Sequence, residues 1–202
     1  MPSISLTRLD DILDASLAFW DAISHPALDN FRENINNWGE TYIQLEATPL
    51  SAATHLFTGT NTISEPSQKI IDVFKVNNAL LHWEQSYKKE DNVVGDDMLS
   101  DYGFAEILGK NGPFLSEKIR YGISIWGPNI TYPTHYHKAE EIYYVLSGSA
   151  DYHIGDLNQV FTADELVYVP ANTPHGFSTS DKPYIALYLW QSGDLREIST
   201  FK

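Results

Sequence analysis

Two histidines one residue apart, His135 and His137, are followed by Glu141 and, beyond Pro170 and Pro174, by His175. On an extended chain His135 and His137 fall on one face, and a carboxylate opening the next extended run, Glu141-Ile-Tyr-Tyr-Val145, can meet them from a neighbouring strand. Three imidazoles and one carboxylate make a transition-metal site. Such donors suit iron, zinc, manganese, nickel or copper and leave coordination positions free for a substrate, as a catalytic metal requires. One divalent transition metal is therefore expected. The chain has no cysteine, which removes disulfides, thiolate metal sites and cysteine nucleophiles and leaves nitrogen and oxygen as the only donors. His25, His55, His82 and His153 stand outside this pattern and read as ordinary polar residues.

The elements that must position these groups fit in one domain, since 202 residues give one good core and would strain to give two. The formal net charge of -14, with no Lys/Arg-rich run, argues against a nucleic-acid partner. The opening residues lack the basic start and apolar block of a signal peptide, and no apolar run is long enough to span a bilayer. A cytoplasmic protein without a membrane partner is expected.

The first half reads as helical. Leu9, Leu13, Leu17 and Trp20 recur at helical spacing and the run stops before Pro26. A second amphipathic stretch puts Ile70, Phe74 and Leu81 on one stripe after a Ser64 cap with Pro66 in the first turn. Thr41 to Glu46 alternates like a short strand, and the charged segment Lys88 to Asp97 reads as a linker or a lid. From Lys118 the pattern changes to short strands over Tyr121–Trp126, Glu141–Leu146, Ala150–Ile154, Leu166–Val169 and Tyr184–Trp190, broken by Gly, Pro and Asn turns. The expected architecture is mainly β: a small β-barrel from residue 118 to 202, with a helical N-terminal region, 1 to 117, packed on its outside.

The ligand spacing resembles the cupin signature. Its first motif is read in His135-Tyr-His137-Lys-Ala-Glu-Glu141 with Gly148 closing it, and its second in Ala163 to His175. Glu141, rather than Glu140, stands at the right distance from Gly148. Asn129, Ala163 and Asn172 replace glycines of the pattern and Thr179 replaces its final asparagine, but no departure touches a ligand. The resemblance implies a single jelly-roll-like cupin barrel.

A narrower resemblance follows from Tyr132, three residues before the first histidine, from Tyr143, two after the glutamate, and from the helical region ahead of the barrel. Together, over roughly Leu81 to Trp190, these are similar to the cupin-type dimethylsulfoniopropionate lyases. That resemblance implies a metal on His135, His137, Glu141 and His175, a base at Tyr143, and Tyr132 beside metal and substrate. It further implies β-elimination of a small zwitterionic sulfonium substrate to dimethyl sulfide and acrylate. Tyrosine needs help to act as a base, because at neutral pH only about one phenol in a thousand is ionised. Tyr143 shares its strand face with Glu141, so a cation there would stabilise the phenolate. A sulfonium has no hydrogen-bond donor and suits aromatic faces; Trp126, Trp190, Tyr188, Phe177 and Tyr102 are the candidates.

Other readings use the same ligands. A cupin dioxygenase would hold ferrous iron and consume oxygen, without requiring Tyr132 and Tyr143 together. A metabolite-binding cupin would show no turnover, and a lyase of another substrate would differ only in relative kcat/KM. Cupins commonly pair through barrel strands, so a homodimer is compatible with the resemblance, unless the helical extension covers that surface.

Overall fold

The computed structural model describes residues 4–38 and 41–201. Twelve strands are ordered as β1 (Trp83–Glu84), β2 (Tyr102–Gly109), β3 (Phe114–Leu115), β4 (Ile119–Trp126), β5 (Thr131–Tyr136), β6 (Glu140–Ser147), β7 (Ser149–Ile154), β8 (Leu157–Thr162), β9 (Leu166–Val169), β10 (His175–Thr179), β11 (Tyr184–Gln191) and β12 (Thr200–Phe201). One sheet runs β1-β2-β4-β11-β6-β9, with β3 beside β2; the other runs β12-β5-β10-β7-β8. All these pairings are antiparallel except β2 with β3. The result is a cupin-like sandwich of two facing sheets. The jelly-roll-like cupin barrel expected from the sequence takes this form, and among the described residues its ladders stay open, ending at the edge strands β1, β9, β12 and β8. The layer of side chains between the sheets, not a ring of hydrogen bonds, holds the two together.

The first sheet is buried on both faces. Its outward positions, among them Tyr121, Ile123, Ile125, Ile142, Tyr144, Ile185, Leu187 and Leu189, join the helical side chains Ile12, Phe19, Trp20, Ile70 and Phe74 in one core. Its inward positions join the second sheet in another. Each such fully buried aliphatic or aromatic side chain contributes about 1.5–3 kcal/mol. The helices Ile4–Ala22 and Glu65–Asn77 supply most of the cover, as their sequence periodicity led us to expect. Ser64 caps the second of these by accepting from the Ser67 amide at 3.3 Å, with Pro66 in the first turn. Tyr121 reaches out of β4 to donate to Ser16 Oγ at 2.6 Å, tying the N-terminal helix to the sheet. No helix is long and apolar enough to cross a membrane among the described residues.

Two sequence expectations are corrected. Strand structure begins well before residue 118, at β1, β2 and β3, so the first sheet draws on both halves of the chain. The missed strand β2 is buried at every position, and burial on both faces erases the alternation that marks a strand. Thr41 to Glu46 is not a strand; only Tyr42 makes an isolated bridge, to Phe114. Lys88 to Asp97 holds a short 3-10 turn at Lys89–Asp91 and leads into the helix Asp96–Ser100, with Val93 and Val94 against the inter-sheet core.

Candidate metal centre and its cavity

His135 lies opposite His175 on β10, and Tyr132 lies opposite Phe177. Between those pairs β5 has two residues, Pro133 and Thr134, against the single Gly176 of β10, which is a β-bulge. The bulge resolves the parity of Tyr132: three residues from His135 it would point the other way on a regular strand, yet its ring stacks on the His135 ring at 4.1 Å. Gly176 is needed there, since a methyl group in its place would meet the Tyr132 carbonyl at 2.7 Å. Two of the three glycine replacements seen in the sequence, and the Thr179 replacement, are also accounted for. Asn129 and Asn172 take positive φ, 58° each, which asparagine tolerates. Thr179 Oγ1 donates to the Gly127 carbonyl and accepts from the Ile130 amide, both at 2.8 Å, and so fastens the turn.

The three imidazoles are buried and their nearest ring nitrogens lie within 4.8 Å of one another. In each ring Nδ1 faces a backbone carbonyl: Pro133 at 2.8 Å from His135, Ala139 at 3.0 Å from His137, Thr173 at 2.8 Å from His175. A carbonyl can only accept, so Nδ1 carries the proton and the Nε2 lone pair of each neutral ring is free to bind a cation. His137 Nε2 is 3.1 Å from Glu141 Oε2 and His175 Nε2 is 3.5 Å from the same oxygen. With neutral rings these are acceptor lone pairs facing a buried anion, and His175 Nε2 has no hydrogen-bond partner. A divalent cation turns every one of those contacts into an attraction, so the donor set fits a metal.

Electrostatics agree with this polarity. Burial drives the His135 imidazolium down to about 3, aided by His175. Burial alone would raise the Glu141 carboxyl; His137 and His175 hold it below the usual range where they are protonated and donate to it, and a cation between neutral rings has the same polarity. The Tyr143 phenol is pushed well above 10 by burial and then by the Glu141 charge. Tyr132 is raised likewise, by burial and then by Tyr87 and Tyr102. One consequence concerns the metal-free protein. His135 binds fewer protons folded than unfolded between about pH 3 and its ordinary 6.5. Stability therefore rises with pH through that window, by up to about 1.4 kcal/mol per unit, and is lost as the pH falls. Urea unfolding of chelator-treated protein at about pH 6.5 and 4.5 should show this loss, with a smaller loss in His135→Asn. An equal pH dependence in the two would exclude His135 as its source.

A cavity of about 240 Å³ opens beside Glu141. The inward face of the first sheet makes the room: Gly122 and Ser124 on β4 and Ala186 on β11 are small where their neighbours are aromatic. Tyr132, Tyr143, Tyr102, Trp126, Tyr188 and Trp190 all line it. Phe177 does not; it is buried behind Trp126, its ring edge-on at 5.0 Å. Trp190 has another partner than a substrate, since its indole N–H donates to Glu141 Oε1 and its ring lies 4.2 Å from that of His137. Sequence reasoning missed further wall residues, among them Tyr87, Glu84 and Arg120. Tyr87 shares a 2.6 Å hydroxyl hydrogen bond with Tyr132, and nothing in its spacing announced it. Arg120 was findable, as a lone charge in the apolar run Ile119 to Trp126.

A profile of the dimethylsulfoniopropionate lyase family matches residues 35–186, three quarters of the chain. The chain belongs to that family. The family's curated relatives include the dimethylsulfoniopropionate lyase DddQ of Ruegeria pomeroyi, 32% identical over 127 residues, which are 62% of this chain and 62% of DddQ. The putative dimethylsulfoniopropionate lyase DddL of Cereibacter sphaeroides is 30% identical over 118 residues, 57% of this chain and 48% of DddL. The match thus spans less than two thirds of either relative. Solved structures agree over nearly the whole fold. A chain from the crystal structures of the lyases RdDddP and RnDddQII superposes with a TM-score of 0.83 at 27% identity, covering 98% of this chain and 99% of that one. The crystal structure of Ruegeria pomeroyi DddQ gives 0.80 at 25% identity, with coverage of 97% and 96%.

Proposed function

We propose that this protein is a metal-dependent dimethylsulfoniopropionate lyase in which Tyr143 is the base. The observation that carries the reading is the convergence of three imidazoles within 4.8 Å of one another, two of them against Glu141, at the edge of a cavity that Tyr143 also lines. Family membership supports the substrate class. His135, His137, Glu141 and His175 would hold the metal. When bound, a divalent ion there supplies Lewis acidity toward a substrate carboxylate and lowers the cost of charge developing next to it.

The chain's own groups account for the rest. The sulfonium is already a good leaving group, so the barrier lies in removing the proton alpha to the carboxylate. The Tyr143 oxygen, as phenolate, takes that proton and becomes the neutral phenol. The C–H electron pair becomes the new double bond, and the C–S pair leaves on sulfur, giving dimethyl sulfide and acrylate. Burial keeps Tyr143 a neutral phenol unless positive charge stands close by, which couples base strength to the filled site. Tyr132, held by Tyr87 and stacked on His135, borders the same space and is the group next best placed to exchange a proton. Aromatic rings of Trp126, Tyr102 and Tyr188 exclude water from the reacting carbon.

The test is headspace gas chromatography of the metal-reconstituted protein with dimethylsulfoniopropionate, run anaerobically. Dimethyl sulfide release without oxygen supports the lyase. Absence of release from fully metallated protein, with oxygen uptake on another substrate, would replace it by the dioxygenase reading.

A further inference from the structure

The cavity has a second pole, away from the histidines. In register across the first sheet stand Tyr143 on β6, Tyr188 on β11, Gly122 on β4 and Glu106 on β2. Tyr188 therefore starts beside the proposed base and reaches toward Gly122, where an added methyl would meet its hydroxyl at 2.7 Å. Tyr188 is 6% exposed, lines the cavity, and its hydroxyl has no hydrogen-bond partner among the described residues. Phe104 presents its edge to the same ring at 6.2 Å. Glu84, opposite Phe104 on the edge strand β1, lines the cavity as well.

Charge at this pole does not balance. Glu106 is fully engaged: it takes Arg120 at 2.6 Å and the amides of Asn111 at 2.7 Å and Gly112 at 3.0 Å. That pair cancels, and apart from Glu141 the other charged wall residues are paired as well, Arg196 with Asp194 at 3.1 Å and Glu197 with Lys138 at 2.7 Å, which leaves Glu84 over. No side chain among the described residues hydrogen-bonds the Glu84 carboxyl, and burial followed by the Glu106 charge raises its pKa. A part-buried carboxylate beside a buried phenol oxygen and aromatic faces is an environment for a cation that has no N–H or O–H to donate. The methyl groups of an onium centre bear the positive charge, and they contact carboxylate and phenol oxygens and ring faces alike.

We propose that Glu84 and Tyr188 form the cation-recognising pole of the cavity, Glu84 being the counter-charge for the onium end of a substrate whose carboxylate lies at the histidine end. The proposal rests on the lyase reading of this cavity and adds the residue that decides substrate charge. Onium carboxylates are selected over carboxylates of equal shape that lack the cationic centre because only they neutralise Glu84.

Two unreactive probes test it on the intact, zinc-loaded chain by calorimetric titration: the zwitterion 3-(trimethylammonio)propionate and its carbon isostere 4,4-dimethylpentanoate, which keeps the carboxylate and lacks the cationic centre. Wild type should bind the onium probe about tenfold or more tighter than the carbon isostere. Glu84→Gln should cut that preference to about twofold or less by weakening the cation alone, and Tyr188→Phe should reduce it partly. A wild type that shows no preference, or binds neither probe, overturns the proposal without any variant. A Glu84→Gln protein of unchanged melting temperature that keeps the full preference overturns it too. Preference for the cation with no dimethyl sulfide released from dimethylsulfoniopropionate would sink the lyase reading and leave the pole standing; release without preference would do the reverse.

Discussion

Tyr143→Phe is expected to abolish most dimethyl sulfide release while the protein keeps its metal. The substitution removes one oxygen and leaves the ring that packs on Trp126, Tyr152 and Phe177 at centroid distances of 6.0, 6.2 and 6.3 Å. The core between the sheets should therefore be undisturbed. Loss of a positioned base typically costs about 10²–10⁴ in rate, and kcat should fall by that factor with little change in metal content. Anaerobic turnover and metal analysis on the same preparation check both halves. Near-native kcat in Tyr143→Phe would move the base to Tyr132, the other phenol at this end, whose partner Tyr87 could receive its proton across their 2.6 Å hydrogen bond.

The second large effect is expected for Glu141→Ala, which should lose metal and activity together. Glu141 is 1% exposed and faces two imidazole nitrogens, so it supplies the only negative charge among the four proposed ligands. Deleting even a group that merely orients a ligand costs about 10–100-fold in metal affinity, so deletion of the ligand itself should cost at least the upper end of that range. Chelator competition and metal analysis after gel filtration measure it directly. Glu141→Gln makes a useful companion, since it can still accept from the Trp190 indole while removing the charge. Full activity in a metal-depleted Glu141 variant would overturn the Lewis-acid role.

These two residues also mark how far the sequence could be read. His135, His137 and Glu141 lie within seven residues, and the period of a strand is enough to put the histidines on one face. Tyr143 followed from the same period, two residues after Glu141. Tyr132 did not, because its position depends on a bulge set by the β5–β10 pairing, and pairing between distant strands leaves no local trace. Helices covering the sheet were legible because each keeps a polar face. Strands β1, β2, β3, β5, β8, β10 and β12 were missed, either because burial on both faces hides the alternation, as in β2, or because their runs are short.

The sequence by itself determined the donor set, its chemistry, the family resemblance and the presence of a helical layer over a β structure, since each depends on residue types at short spacing. Only the tertiary structure decided that the jelly-roll is two sheets with open edges and that Phe177 stands behind the wall. It alone gave Trp190 to Glu141 and brought Tyr87, Arg120 and Glu84 to the cavity. The physical reason is range. A ligand motif is local, whereas the cavity is built across β1, β2, β4, β11 and β6, where register fixes neighbours as far apart in the chain as Ile119 and Gln191.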